Sequence, residues 1–473
     1  MGTILRSVSL DAGEAVPVNR TIPTSWVLVL WTVVITVVWC LLHVPLPTFL
    51  PTILGAGTLI GVVVLVVRSV VKAPVRPAPA VWQLVSLMSP TALLMATFPL
   101  IIGDIVAIGH VRAILAVSVA VPWISAATTM PVYGQLTDVD RDDEPAFFRA
   151  FMSILPAVLV WSIIPILAFA AVVGAFLGWR PGLMGLFLIG LTANVLFSHM
   201  LIAVQETHRF GTVVLSWICY AGALFLAPHL WYLVPLAGCI PAVVMLRKAW
   251  SSVLRPRRGD ARAVARDVGY GLLYGSVLWV DKFLFIVLYH GDFNIVLLYV
   301  TLIPVVVALA VYFASQYQEF QTVVDGLRLS LKNRPISSLE HDTDVADRRC
   351  RAVTSRTIAV AGSTAVGMLL CSPAVGTHPT LLQLALFAAP LWFLGGTLMA
   401  FQLTQVTGRR DAAILCAAHL MVSCAAIALL PAAEALAVIV LVEVALIGRG
   451  GRTLRSTLST FGYELFWKKA IAW

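Results

Sequence analysis

The stretch YGSVLWVDKFLFIVLYHGD, Tyr274 to Asp292, decides how the chain is read. It is apolar and long enough to cross a hydrocarbon core of about 30 Å, which takes about 20 residues of helix. Yet it carries Asp281 and Lys282 side by side. An ionised side chain in the membrane costs about 2.5–3.5 kcal/mol on insertion scales, so such residues need a partner, water or a function.

The rest of the chain has the same character. Of its 473 residues 60% are hydrophobic and 12% charged, with a mean hydropathy of +0.94, whereas soluble domains average about 45–50% apolar. This composition excludes a soluble protein and points to an all-α, polytopic membrane protein in the lipid bilayer. The net charge of +9 does not indicate a nucleic-acid partner, because in such a chain the information lies in where Lys and Arg fall. The seven cysteines (40, 219, 239, 350, 371, 416 and 424) include no CxxC and lie mostly in apolar runs, so neither a disulfide framework nor a metal site is expected. No small-residue cleavage site accompanies the first apolar run, which argues against a cleaved signal peptide.

A ruler of about 20 residues marks fourteen spans: 26–43, 52–70, 81–102, 106–130, 152–177, 182–203, 212–228, 231–247, 267–289, 294–315, 354–374, 379–402, 411–430 and 434–448. Charge tests the count. With a cytoplasmic N-terminus, 29 of the 32 Lys and Arg residues fall at the termini or in cytoplasmic connections, the exceptions being Arg112, Arg180 and Lys282. This is a strong positive-inside pattern, and it predicts a multi-pass protein of the cell membrane with both termini cytoplasmic. The outer connections are as short as GWRP and PAAE, leaving no room for an external domain. The long connections face the cytoplasm, among them the 38 residues from Ser315 to Ala352, whose FASQYQEFQTVVDGLRLSLK can continue the tenth helix.

Spacing suggests an organisation of two plus six plus six. An N-terminal accessory helix pair and basic linker (1–80) precede a first six-helix lobe (81–247). A basic linker (248–266) then leads to a second lobe (267–448), with its insert at about 315–352 and a tail at 449–473. Two six-helix lobes about a cavity are a transporter architecture.

The W-x-D-K-F pattern in YGSVLWVDKFLFIVLYHGD resembles the seventh helix of the PelG-like exporters of the Pel exopolysaccharide system. The run FASQYQEFQTVVDGLR is similar to the extension of that family's eighth helix. SPTALLMATFPLII (89–102) and QLTDVDRDDEPAFFRAF (135–151) resemble its first two helices and first cytoplasmic loop. The resemblance covers roughly residues 80–450 and implies membership of the multidrug/oligosaccharidyl-lipid/polysaccharide flippase superfamily. It implies a two-lobe, MATE-like transporter that exports or flips a polysaccharide or lipid-linked glycan by alternating access, without a cofactor, beside a membrane or cytoplasmic glycosyltransferase partner.

The candidate site is read from helix geometry. Consecutive residues point about 100° apart, so Asp281 and Lys282 are not expected to face each other. Tyr274 and Tyr270 lie on the face of Asp281, while Gly271, Gly275 and Leu278 lie on that of Lys282. That asymmetry suits a cavity-lining helix, and an ion pair with a neighbouring helix is the alternative use. Glu443 in the last span is a second protonatable candidate. His199 and His419 are expected to bond backbone carbonyls, and Asp104 and Arg112, which flank an outer turn, to pair or to meet water at the interface. Prolines 90, 99, 156, 165, 235, 304 and 390 are placed inside helices, where they kink them. GAFLG (174–178) and GLLYG (271–275) permit close helix approach.

No Walker A, HExxH, CxxC or GxSxG pattern is present, so no enzymatic activity is expected. Two rivals remain. One is a cation-coupled multidrug exporter of the same superfamily, which calls for an apolar aromatic pocket with one or two carboxylates. The other is an integral-membrane glycosyltransferase, which calls for acidic residues on a sizeable outer loop that this chain lacks.

The topology is testable by labelling single cysteines in a Cys-free background. Reagents confined to the outside should reach position 292 and miss positions 255 and 340; labelling of 255 and 292 from the same side contradicts fourteen spans.

Overall fold

The computed structural model describes residues 23–43, 49–71, 77–137, 139–141, 143–257, 260–289, 295–333, 336–375, 380–406 and 408–471. Among these there is no strand. The helices are α1 (Thr24–Leu41), α2 (Phe49–Val71), α3 (Pro77–Ala107), α4 (Val111–Leu136), α5 (Glu144–Leu177), α6 (Pro181–Glu206), α7 (Phe210–Leu226), α8 (Val234–Leu246), α9 (Ala261–Leu288), α10 (Ile295–Val311), α11 (Tyr317–Asn333), α12 (Ile336–Cys371), α13 (Leu381–Val406), α14 (Arg409–Leu429) and α15 (Ala432–Ile471). A π-helical stretch, Tyr312–Gln316, joins α10 to α11 in one rod, which leaves fourteen rods. Lipid offers the backbone no hydrogen bonds, so a spanning segment satisfies its own amides and carbonyls as helix. Twelve helices are long and apolar enough to cross a membrane, and α7 is apolar but shorter, at 17 residues.

Local chemistry sets several boundaries. The Asp143 carboxylate accepts from the Ala146 amide at 3.1 Å and caps α5, and the Asp260 carboxylate accepts from the Arg262 amide at 3.0 Å at the start of α9. Gly178 ends α5 at φ 57°, a left-handed conformation that glycine adopts without a Cβ penalty. Pro122, Pro131 and Pro241 also lie inside helices. Pro235 does not, because a 3₁₀ turn at Pro228–Leu230 delays α8 and puts Pro235 in its first turn. The last helix runs on through the tail over 40 residues. Much of the Pro-rich linker (72–76) and the connection 290–294 lie outside the described residues.

Helices α3 to α8 pack on one another, as do α9 to α15, and the principal contact between the sets is α4 against α9. Glycine makes that approach possible. A Cβ on Gly271 would stand 2.5 Å from the Ala127 Cα, and one on Gly275 would stand 2.8 Å from the Trp123 ring. The Trp123 indole donates to the Leu272 carbonyl at 2.7 Å, tying the helices along the same seam. From α9, Val280, Phe283, Ile286 and Val287 enter the core of the first set, while Tyr270, Val277 and Phe285 enter that of the second. One helix therefore belongs to both cores.

α1 and α2 are each seated on α12, not packed as a hairpin. Trp31 fills the space over Gly362, and the Gly55 and Gly367 backbones meet where α2 crosses α12. The Trp392 indole of α13 donates to Thr32 of α1 at 2.9 Å.

Substituting Gly271 by Leu drives a side chain into the α4 backbone, and overpacking typically costs about 1–3 kcal/mol. Gly269→Leu adds the same volume two residues away, where nothing lies within 4 Å. Thermal melts of the purified protein should show a lower midpoint for the first variant and an unchanged one for the second.

Candidate functional site

The site is built on α9 and on the three helices beside it, α13, α14 and α15. Asp281 and Lys282 are both 1% exposed, and they pair with each other: Lys282 Nζ donates to the two Asp281 carboxylate oxygens at 2.8 and 2.9 Å. This corrects the expectation from helix geometry. The Cβ atoms do point apart, but the four-carbon Lys stem is long enough to curl the ammonium back over its neighbour. The same ammonium lies 5.1 Å from the centre of the Phe393 ring, on α13. At that distance the ring adds a cation–π contact.

Also beside Phe393 is a second ionisable pair. The Phe393 and His419 rings meet edge to face, with centroids 5.1 Å apart. His419 Nδ1 bonds Glu443 Oε1, so this histidine, on α14, does not serve a backbone carbonyl as expected. His199 does, through Val195 at 2.7 Å. Ser423 Oγ lies 3.3 Å from His419 Nε2. If the hydroxyl donates, the ring proton sits on Nδ1 and points at the carboxylate. Glu443 is 1% exposed, and among the described residues its Oε2 has no hydrogen-bond partner. That oxygen occupies the place a side chain at Gly396 would take, 2.7 Å from an ideal Cβ there.

Asp281, Lys282 and Glu443 thus converge within the second lobe, although they come from α9 and α15. The other two expected residues lie further along α9. Tyr270 and Tyr274 stack with ring centres 6.4 Å apart, and the Tyr270 hydroxyl bonds Thr404 of α13. Arg409, at the start of α14, lies over the Tyr270 ring at 5.5 Å and pairs with Asp267 of α9. Asp267 also lies beside Gly134 of α4. This junction of α4, α9 and α14 joins the lobes at one end of the seam. Sequence reading missed His419, Asp267 and Arg409. The first looks like any histidine in an apolar helix; the other two look like boundary charges, and their partners are remote in sequence. Among the described residues no three His, Cys, Asp or Glu side chains converge closely enough to hold a metal ion.

No protein-family model matches the chain, and no curated protein matches it at a significant level. Among solved structures, the inward-facing conformation of a multidrug resistance MATE family transporter of the MOP superfamily is similar over 81% of this chain and 94% of that chain, at 10% identity and a TM-score of 0.32. Likeness at that level carries no argument about cargo, and the comparisons do not confirm the resemblance to PelG-like exporters.

Removing one member of a buried ion pair strands a charge and typically costs about 3–5 kcal/mol, whereas replacing both by apolar or neutral groups is often close to neutral. Asp281→Asn and Lys282→Met are each expected to lower the melting midpoint and the membrane abundance. The double variant should recover most of both, as read by thermal melts and quantitative blotting of membranes.

Proposed function

We propose that the protein is a proton-coupled membrane transporter that moves a polymeric or lipid-linked glycan outward by alternating access. The observation that carries the coupling is the His419–Glu443 pair with its orphaned carboxylate oxygen. A buried carboxylate without a partner on one oxygen is costly unless a proton, water or solute meets it in some state of the cycle. Glu443 is the proton-carrying group on this reading and His419 its relay. The Asp281–Lys282 pair, held on the helix both cores share, opens or re-forms as the lobes move.

The glycan cargo rests on the W-x-D-K-F resemblance around Asp281 and Lys282. Outward transport rests on the same resemblance, and a glycosyltransferase is the partner such a cargo needs. A second reading, a multidrug cargo, is favoured by the aromatic surroundings of the carboxylates, Phe393 beside both ionisable pairs and the stacked Tyr270 and Tyr274.

Reconstituted vesicles with an imposed pH gradient test the proposal. Wild-type protein should flip a fluorescent lipid-linked oligosaccharide faster with the gradient than without it, and Glu443→Gln should lose at least tenfold of that rate while remaining folded. Transport of a fluorescent organic cation in place of the glycan lipid selects the multidrug reading. Rates indifferent to both the gradient and Glu443→Gln discard the coupling site.

A further inference from the structure

At the end of the first lobe where α5 and α7 begin and α8 finishes, a cavity of about 510 Å³ opens between these helices and the 3₁₀ segment Arg247–Leu254. Its lining is part apolar, from Phe148, Val244 and Met245, and part basic, from Arg149, Arg209, Arg247 and Lys248 against a single acid, Glu144. Arg209 and Glu144 neutralise one another through bonds of 3.0 and 2.8 Å. Arg149, Arg247 and Lys248 have no ion-pair partner among the described residues, so three cations are left facing one opening.

The surroundings say where the ligand comes from. The segment after α8 carries Trp250, 43% exposed, and Leu254, 85% exposed, beside its basic residues. Exposed aromatic and aliphatic side chains interleaved with Lys and Arg are what a segment lying in the membrane interface presents. This end of the bundle is also the one that the Lys and Arg distribution assigns to the cytoplasm, the side of the bilayer that carries anionic lipids. A soluble phosphate would satisfy the cations and leave the apolar lining unused. A phospholipid satisfies both, with its phosphate on the cations and the upper part of its chains on Phe148, Val244 and Met245.

We infer that this cavity is a binding site for the headgroup of an anionic phospholipid of the cytoplasmic leaflet. Arg149, Arg247 and Lys248 contact the phosphate, and the 3₁₀ segment is the wall laid along the membrane surface. The site is in the first lobe and on its rim, apart from the ionisable pairs of the second lobe, so it stands or falls independently of the transport reading.

The test uses the full-length protein in a neutral detergent, titrated with phosphatidylglycerol, phosphatidylcholine or inorganic phosphate. Thermal melts and native mass spectrometry report stabilisation and bound lipid. Phosphatidylglycerol should raise the midpoint and remain bound, while the other two do neither. The triple variant Arg149→Gln, Arg247→Gln, Lys248→Gln removes exposed side chains and should fold, but retain at least tenfold less phosphatidylglycerol. A control triple variant, Arg449→Gln, Arg452→Gln, Arg455→Gln, removes the same charge from α15 and should retain wild-type binding. Equal loss in the control means general attraction and overturns the site, as does undiminished binding by the cavity variant. An equal shift with phosphatidylcholine overturns it too, as does no shift with phosphatidylglycerol. Stabilisation by inorganic phosphate alone replaces the lipid with a soluble anion and overturns the assignment.

Discussion

Two helix backbones lie close enough along the α4–α9 seam that no side chain fits between them at Gly271, and the arrangement of the molecule follows from that contact. Helices in lipid gain little from hiding apolar surface, since the solvent is itself apolar; they associate through close packing and a few polar bonds. Gly271 and Gly275 supply the packing and the Trp123 indole supplies a bond to the Leu272 carbonyl. With α9 fixed against the first lobe on one face, its remaining faces carry the polar residues into the second. The tyrosine stack, Asp267 and the Asp281–Lys282 pair are all arrayed along this one rod.

The electrostatics of the interior follow the same economy. The ionisable groups near the site are answered at short range: Lys282 by Asp281 and the Phe393 face, Arg409 by Asp267 and the Tyr270 ring, His419 by Glu443. Aromatic rings lie against these pairs, and for Lys282 and Arg409 a π face shares the load with the counter-ion. Among the described residues Glu443 Oε2 departs from this pattern, as do His199 Nε2, Ser125 Oγ, Ser216 Oγ and Gln135 Oε1 elsewhere in the bundle.

The fold was largely legible in the sequence, because hydropathy marks the apolar segments, and in lipid such segments satisfy their backbone as helix. All fourteen expected spans appear as helices, including the three short ones. Their ends were less legible. α5 and α12 begin well before the apolar stretch does, and α15 continues past it, since a helix once started propagates into polar sequence at little cost. The site was legible residue by residue but not as an arrangement. Asp281, Lys282 and Glu443 stood out because charge in an apolar helix is conspicuous. His419 did not, because a single imidazole in a span has an ordinary use, and nothing local announces that α14 turns it toward α15. Helix geometry also misjudged the Asp281–Lys282 pair, because it describes the direction of Cβ and not the reach of a lysine.

The space that Glu443 occupies is encoded on another helix. Its free oxygen lies in the space left by the bare Gly396 of α13, so the two positions share one volume although each would be read separately. A methyl group at 396 would meet the tip of a flexible side chain, which can swing aside. The residue at 396 therefore bears on where the carboxylate points, and not on whether an acid can stand at 443.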